Sequence, residues 1–403
     1  MKIPLASTGL RKQDIDAAIA VLNSGNLTMG NKVREFENSI AKYLGMDHFV
    51  MMNSGSSANL AMIEALMRPT NNSPKLSIGD GILVPAIAWP TTIWPIIQLG
   101  LRPEFVDIDI SNLAIDLGKA QELIDNSKNR IKGIFPIHPL GRALDGLELL
   151  DFAKRNELVL INDVCESLGS WREGVHTGTQ GEAASFSFYF SHHITTMEGG
   201  GVATNNPEMA DDLRSIRSHG WSRDRTDSHE WSREKTNNDS KFLFVSTGYN
   251  IRPMEIQAAI GLTQLADLDD FVSKRREIAR KVSSVVDDSQ LELVGSSTFK
   301  NKQLERSNSW MHLPILVNND PLGTKKHEIV AHLENSGIET RPVLTGNFLS
   351  QPSIRRITPE LPLPEAFPIA TKVTNSGFLI GCHHDLSLNQ SDFLCAEISK
   401  WTK

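Results

Sequence analysis

Six short apolar runs alternate in the first half of the chain with segments whose apolar residues recur at helical spacing. The runs span residues 48–52, 82–84, 105–108, 131–137, 158–163 and 184–189. Short runs of this kind predict buried strands, and their alternation with helices is typical of βα units that build a mainly parallel sheet. The sequence therefore predicts an α/β fold with helices packed on that sheet.

An amphipathic helix is predicted near the N-terminus. Ile15, Ala18, Ile19 and Leu22 fall at i, i+3, i+4 and i+7, and Asp14 precedes them as a candidate N-cap. This spacing places the four apolar side chains on one face of a helix.

The second half has a different organisation. Residues 215–244 are rich in Arg, Asp, Ser, Asn, His and Trp, which predicts a long surface loop. A helical pattern opens at Pro253 and continues to about Val286. A strand-like segment at 310–317 and a helix near 326–337 follow, and they are typical of a smaller α+β unit.

The length fits more than one domain. At roughly 150 residues per domain, 403 residues predict two or three. We expect a large domain with an N-terminal arm at residues 1–265 and a small C-terminal domain at 266–403.

Charge and cysteine usage exclude several classes of protein. The chain carries 41 Lys and Arg against 48 Asp and Glu, a formal charge of −7, and has no Lys/Arg-rich run. Nonspecific nucleic-acid binding depends on basic surface, so we expect no polynucleotide partner. Cys165, Cys382 and Cys395 show no CxxC spacing, which argues against a disulfide framework and a zinc site.

One apolar stretch raises the question of a membrane span. Residues 81–101 contain no charged side chain, but Pro85, Pro90 and Pro95 would interrupt a single helix repeatedly. The N-terminus also lacks the apolar core of a signal peptide. We therefore expect a cytoplasmic protein that makes no membrane contact.

Two polar segments follow predicted strands and are candidate ligand contacts. Residues 53–58, with Ser54, Ser56 and Ser57, follow a strand and open a helix whose first amides suit a phosphate. An ordinary helix N-cap explains the same residues. Asp163 ends a buried strand, where open α/β sheets bind ligands, although it would equally serve as a cap for the next helix.

The segment 184–201 contains two adjacent histidines, His192 and His193. On a strand or turn they point in opposite directions, and no ligand-spaced partner is nearby, so we expect no metal site.

Motifs spread along the chain resemble the DegT/DnrJ/EryC1/StrS family of pyridoxal-phosphate-dependent sugar aminotransferases and dehydratases. The segments that carry the resemblance are 25–30, 36–37, 54–58, 85–89, 105–109, 162–166, 187–201 and 248–255. The family implies an aspartate aminotransferase-like fold (PLP fold type I), with a mainly parallel mixed sheet in the large domain. It also implies a homodimer with active sites at the subunit interface.

Position 192 departs from the family pattern. Most members have there the lysine that binds the cofactor covalently, whereas this chain has His192 and no lysine between Lys154 and Lys235. The form His-His-Ile-Thr-Thr-Met-Glu-Gly-Gly resembles the 3-dehydratase branch, which removes the C3 hydroxyl of nucleotide-linked 4-keto-6-deoxyhexoses. His192 is then the expected acid/base, because an imidazole can do both near neutral pH.

The resemblance implies a role for each matching residue. The phosphate would lie on Ser56, Ser57 and Ser187, with Asn250 reaching in from the partner subunit. Asp163 would pair with the ring nitrogen and keep it protonated. Trp89 would stack on the ring, unless it is only a core residue, and Glu166 would contact O3′ or begin a helix. His219, Arg223 and Arg341 would contact the sugar nucleotide. Without that role, His219 and Arg223 would be solvated loop residues.

The implied reaction uses glutamate to convert pyridoxal phosphate to pyridoxamine phosphate before dehydration. One kind of 3-dehydratase carries an iron–sulfur cluster, which usually takes four cysteines. Because this chain has only three cysteines, we expect the kind of 3-dehydratase that has no cluster and releases ammonia. An aminotransferase with noncovalent cofactor and a noncatalytic cofactor-binding homologue remain alternatives, and the sequence names neither the nucleotide nor the sugar.

Overall fold

A seven-stranded mixed sheet lies at the centre of the computed structural model, which describes residues 1–7, 9–229, 242–286 and 289–402. In chain order the strands of the protein are β1 His48–Met52, β2 Gly81–Pro85, β3 Arg102–Val106, β4 Ile108–Asp109, β5 Ala114–Ile115, β6 Ile131–Ile134, β7 Val159–Asp163, β8 Trp171–Arg172, β9 Val175–His176, β10 Ala183–Ser187, β11 Gly200–Thr204, β12 Leu291–Leu293, β13 His312–Val317, β14 Thr340–Arg341 and β15 Gly377–Gly381. The strand order in the seven-stranded sheet is β1-β11-β10-β7-β6-β2-β3.

Strand direction brings several strand ends together. Strand β11 is antiparallel to both of its neighbours, and the other neighbours in the sheet are parallel. The carboxyl ends of β1, β2, β6, β7 and β10 therefore meet at one edge. The predicted α/β class, with a mainly parallel mixed sheet, is confirmed.

Helices cover both faces of this sheet. Val50 and Met52 of β1 pack in one apolar cluster, and Phe49 and Met51 pack in another on the opposite face. This split follows from the two-residue period of a strand and explains why the predicted strands are apolar throughout. The helices are α1 Lys12–Ser24, α2 Asn31–Leu44, α3 Gly55–Met67, α4 Pro90–Gln98, α5 Leu117–Asn126, α6 Gly146–Arg155, α7 Pro207–Ile216, α8 Glu255–Ala266, α9 Leu268–Ser283, α10 Thr324–Asn335, α11 Pro352–Ile357, α12 Pro368–Ser376 and α13 Leu388–Ser399.

Two helical expectations need correction. The continuous pattern from Pro253 to Val286 is two helices, α8 and α9, because Asp267 leaves the helical region at φ −111° and ψ 10°. Helix α1 forms, but its N-cap is Arg11 and Asp14 lies within its first turn, and Ile15 and Ile19 are 46% and 48% exposed. The buried residues of the helix are instead Val21 and Asp14, and Asp14 accepts hydrogen bonds from Thr263 and Gln264.

The C-terminal residues build a second, four-stranded antiparallel sheet in the order β12-β13-β15-β14. Ile3 at the N-terminus pairs with Ile338 and is buried in the apolar cluster of this unit. We propose the domain boundary at residue 265, beside the break between α8 and α9.

The long loop predicted at residues 215–244 begins where α7 ends, and its part at residues 230–241 lies outside the described residues. The apolar stretch at 81–101 is strand β2 and helix α4. Within the described ranges, no helix has both the length and the apolar character that a bilayer crossing requires.

Glu255 fixes the start of α2. Its carboxylate accepts hydrogen bonds from the amides of Gly30, Lys32 and Val33 at 2.8, 2.9 and 2.8 Å. An anion is favourable at a helix N-terminus. We expect Glu255→Gln to lower the free energy of unfolding by about 1 to 3 kcal/mol in urea denaturation. Glu35→Gln, which alters an exposed pair on the same helix, is the control and should change it by less than about 0.5 kcal/mol.

Candidate active site

Predicted site residues from separate parts of the chain meet at the carboxyl edge of the large sheet. Ser54 to Ser57 follow β1, Trp89 follows β2, Asp163 ends β7 and Ser187 ends β10. The segments are in close contact at Gly55: a Cβ atom there would lie 2.6 Å from Ser187 Cβ and 3.1 Å from Cys165 Sγ. Because such an atom cannot be accommodated, the close approach of α3 to β10 requires glycine.

Asp163 is a buried carboxylate held by neutral groups, with 4% of its surface exposed. Its Oδ2 accepts hydrogen bonds from Asn59 Nδ2 at 3.0 Å and Thr92 Oγ1 at 2.7 Å, and its Oδ1 accepts one from the Cys165 amide at 3.1 Å. Among the described residues it forms no ion pair. A buried anion without a cation partner suits a cationic ligand.

These features fit a phosphorylated pyridine cofactor. The uncompensated charge of Asp163 matches a protonated ring nitrogen, and the first-turn amides of α3, which have no partners within the helix, suit a phosphate. The alternative explanation of these residues, a helix N-cap, holds as well. Ser54 is the N-cap of α3, and its Oγ accepts a hydrogen bond from the Ser57 amide at 3.1 Å. The phosphate roles of Ser56, which is exposed, and of the half-buried Ser57 stay predictions.

His192 lies in the loop between β10 and β11 and faces the turn that follows Asp163. Its Nδ1 lies against the carbonyl oxygen of Cys165, and since a carbonyl only accepts, Nδ1 donates and Nε2 keeps its lone pair. Burial lowers the pKa of His192 to about 4, and the cations Arg275 and Arg341 add to that effect. The imidazole is therefore neutral at pH 7 and ready to accept a proton at Nε2.

The neighbouring His193 is fully buried, so the two adjacent histidines have different surroundings. Among the described residues, no group of three or more His, Cys, Asp or Glu side chains is arranged to hold a metal ion.

Glu166 is half-buried on the turn after Asp163. Its Oε2 accepts a hydrogen bond from the Leu140 amide at 2.9 Å. Burial raises the pKa of Glu166 to about 7, the cation Arg341 opposes this shift, and the negative charge of Asp163 adds to it. Near neutral pH the carboxyl group can therefore either donate or accept a hydrogen bond.

Trp89 and Arg341 connect the two sheets at the site. Trp89 is 47% exposed, so it is not the core residue that the sequence left as an alternative. The Arg341 guanidinium, on β14 of the small sheet, lies 5.6 Å from the centre of the Trp89 ring. A cation at this distance is attracted to the face of an indole.

Three predicted residues lie further out, on exposed surface: His219, Arg223 and Asn250. The Arg223 guanidinium lies 5.1 Å from the ring centre of Trp221, and Asn250 pairs with Ser218. Neither side chain, nor that of His219, forms a hydrogen bond with Asp163 or His192 in the described part of the chain. Their roles toward substrate and partner subunit stay predictions.

Sequence reasoning missed three residues that hold the site: Asn59, Thr92 and Arg275. The buried guanidinium of Arg275 donates to the carbonyl oxygens of His192 at 3.3 Å, Met311 at 3.0 Å and Cys382 at 2.8 Å, and so ties the His192 loop to the small sheet. Asn59 and Thr92 are polar residues on the mainly apolar helices α3 and α4, which is a usable signal. Arg275 lies among other charged residues of α9, so the sequence gives no such signal for it.

Comparison with known proteins agrees with this arrangement. The family model of the DegT/DnrJ/EryC1/StrS aminotransferase family matches the sequence of this chain over residues 9–399. GDP-4-keto-6-deoxy-D-mannose 3-dehydratase of Escherichia coli O55:H7 is 34% identical over 393 residues, which are 97% of this chain and 98% of that protein.

Two solved structures of GDP-4-keto-6-deoxymannose-3-dehydratase are similar to the whole chain. One is a histidine-to-asparagine variant with bound GDP-perosamine, and the other holds a trapped PLP-glutamate geminal diamine. Each has a TM-score of 0.88 and 33% identity, and the match covers 98% of this chain and 100% of the other. The aspartate aminotransferase-like fold that the motifs implied is thus confirmed. The chain belongs to the DegT/DnrJ/EryC1/StrS aminotransferase family.

Proposed function

We propose that this chain is a pyridoxal-phosphate-dependent 3-dehydratase that removes the C3 hydroxyl of a nucleotide-linked 4-keto-6-deoxyhexose in deoxysugar biosynthesis, as in O-antigen assembly. The observation that carries the proposal is His192, a neutral imidazole whose Nε2 has no hydrogen-bond partner among the described residues, at the position where most family members have the cofactor-binding lysine. The relatives support the same activity, since the two structures hold a GDP-sugar and an adduct of PLP with glutamate.

The residues at the sheet edge would hold the cofactor without a covalent bond. Ser187 and the start of α3 would take the phosphate, Trp89 the ring face, Asp163 the ring nitrogen and Glu166 the O3′ atom. When bound as pyridoxamine phosphate, the cofactor supplies an amino group for the sugar's C4 carbonyl and a ring that accepts electrons. Glutamate would provide that amino group, and 2-oxoglutarate and ammonia would be released.

His192 would act as both base and acid. Its Nε2 would take the proton from C4′ of the cofactor and deliver it to the departing C3 hydroxyl. Nδ1, which donates to the Cys165 carbonyl, fixes the ring orientation for both transfers. A lysine in this place would return a proton to the sugar and favour transamination.

A homodimer would complete the site. Several large apolar side chains are exposed in the single chain, and an exposed apolar surface is a candidate interface between subunits. Those that lie within the motifs of the family are Leu27, Trp89, Tyr189, Phe190, Met197 and Met254. Asn250 would contribute to the partner's phosphate site, and His219, Arg223 and Arg341 would contact the sugar nucleotide.

Product analysis tests this function. The purified protein is given glutamate, cofactor and a panel of GDP-, CDP-, dTDP- and UDP-linked 4-keto-6-deoxyhexoses. We expect it to convert one of them to a 3-deoxyketone, with release of ammonia. Mass spectrometry detects the decrease in mass of the sugar nucleotide. The reaction should proceed without iron or a reductase. An aminosugar as the main product would instead identify an aminotransferase, and no product from the whole panel would favour a noncatalytic homologue.

A further inference from the structure

We infer that Asn59 and Thr92 are positioning residues that hold Asp163 as a preformed receptor for a protonated ring nitrogen. The inference rests on the proposed function, because it takes Asp163 as the partner of that nitrogen. It adds two residues on helices α3 and α4 that act through Asp163.

The geometry leaves little freedom to the carboxylate. Asn59 and Thr92 both donate to the same oxygen, Oδ2, at 3.0 and 2.7 Å, while the Cys165 amide donates to Oδ1 at 3.1 Å. Donors from three separate segments thus fix both the rotation of the carboxylate and its position at the end of β7. Asn59 and Thr92 are themselves fully buried, so water does not compete for these bonds.

The orientation of Asn59 is determined as well. One of its amide hydrogens is directed to Asp163 and the other to the Thr91 carbonyl oxygen at 3.0 Å. Its own oxygen, Oδ1, is buried and has no hydrogen-bond partner among the described residues. An unpaired buried carbonyl costs free energy, so the placement of this side chain is explained by what its NH₂ group donates to.

The three donors to the Asp163 carboxylate carry no charge. A Lys or Arg at this place would neutralise Asp163 and compete with a cationic ligand. An amide, a hydroxyl and a backbone N–H stabilise the negative charge and leave it uncompensated. The carboxylate is therefore oriented in advance while its full charge remains for the ligand, which reduces the reorganisation that binding requires.

Binding of two cofactor forms to the purified full-length protein tests the inference without measuring turnover. Pyridoxal 5′-phosphate and its 1-deaza analogue, in which the ring nitrogen is a carbon, differ only at the atom that Asp163 would contact. We expect the wild type to bind pyridoxal phosphate about 10- to 100-fold more tightly than the analogue, as for a hydrogen bond to a charged group. Isothermal titration calorimetry gives both affinities.

In Thr92→Val, which keeps the shape but removes the hydroxyl, this preference should fall by about tenfold. Asn59→Ala should lower it similarly. Thr92→Ser keeps a hydroxyl and should restore it. Thr91→Val, on the neighbouring position of α4, is the matched control, since the Thr91 hydroxyl donates no hydrogen bond in the described structure.

The outcomes distinguish a failure of the inference about Asn59 and Thr92 from a failure of the proposed role of Asp163. If Thr92→Val and Asn59→Ala keep the wild-type preference, or lose affinity for both ligands equally, the two residues are only structural and the inference is wrong. If the wild type itself binds both ligands equally, Asp163 does not contact the ring nitrogen, and the assignment of Asp163 in the proposed function fails together with the inference. Thermal unfolding followed by circular dichroism shows that each variant is folded.

Discussion

His192→Asn should lose about 10²- to 10⁴-fold in dehydration rate while it still binds the cofactor. An amide cannot take up a proton at neutral pH, whereas the proposed cofactor contacts come from Asp163, Ser187 and the start of α3. The rate is measured as 3-deoxyketone formed in a single turnover of enzyme preloaded with pyridoxamine phosphate. Cofactor affinity, measured separately by calorimetry, should change little.

The pH profile gives a second test of the same residue. The base form of His192 is the neutral imidazole, and its pKa is lowered to about 4, so this form is lost only as the pH falls through about 4. Glu166, with a pKa of about 7, titrates within the working range, so the profile is best measured in the Glu166→Gln background. In this variant the dehydration rate should stay level between pH 5 and 7. An ordinary histidine, with a pKa near 6.5, would lose its base form as the pH falls through that range.

Dehydration at the wild-type rate by His192→Asn would assign the base to another group. His193→Asn and His219→Asn would then be measured, since these are the next imidazoles along the chain.

Asp163→Asn should slow both halves of the reaction, each by about 10²- to 10³-fold. The substitution removes the charge that would keep the ring nitrogen protonated, and both the reaction with glutamate and the dehydration depend on that nitrogen. Absorbance follows the conversion of the aldehyde form of the cofactor to the amine form, and product analysis follows the sugar.

Asp107→Asn is a matched control for this substitution. Asp107 is also buried beyond a strand end, but its carboxylate accepts hydrogen bonds from the amides of Ile108, Ile369 and Ala370. We expect it to lower stability and to leave both half-reactions near the wild-type rate. If Asp163→Asn converts the cofactor with glutamate as fast as wild type, Asp163 is not the partner of the ring.

The apolar pattern predicts the class of fold, and the motifs of the family predict where the site lies. Strands that are buried on both faces are apolar without interruption, so β1 was predicted at its observed limits, residues 48–52. The carboxyl ends of parallel strands share one edge of the sheet, which predicts a ligand site at Asp163, and the family resemblance adds Ser187, more than twenty residues away. The absence of a lysine at position 192 is a property of the sequence alone and needs no structure.

Which side chains hold that site, and which hold the fold, depends on tertiary contacts. Asn59, Thr92 and Arg275 act on residues distant in the chain, and no local spacing encodes such contacts. Tertiary packing likewise turned Asp14, not the apolar stripe of α1, toward α8, because two polar partners, Thr263 and Gln264, are available there. Local periodicity indicates which residues share one face of a helix or strand. The segment that packs against that face can be far away in the sequence, so the periodicity does not identify it.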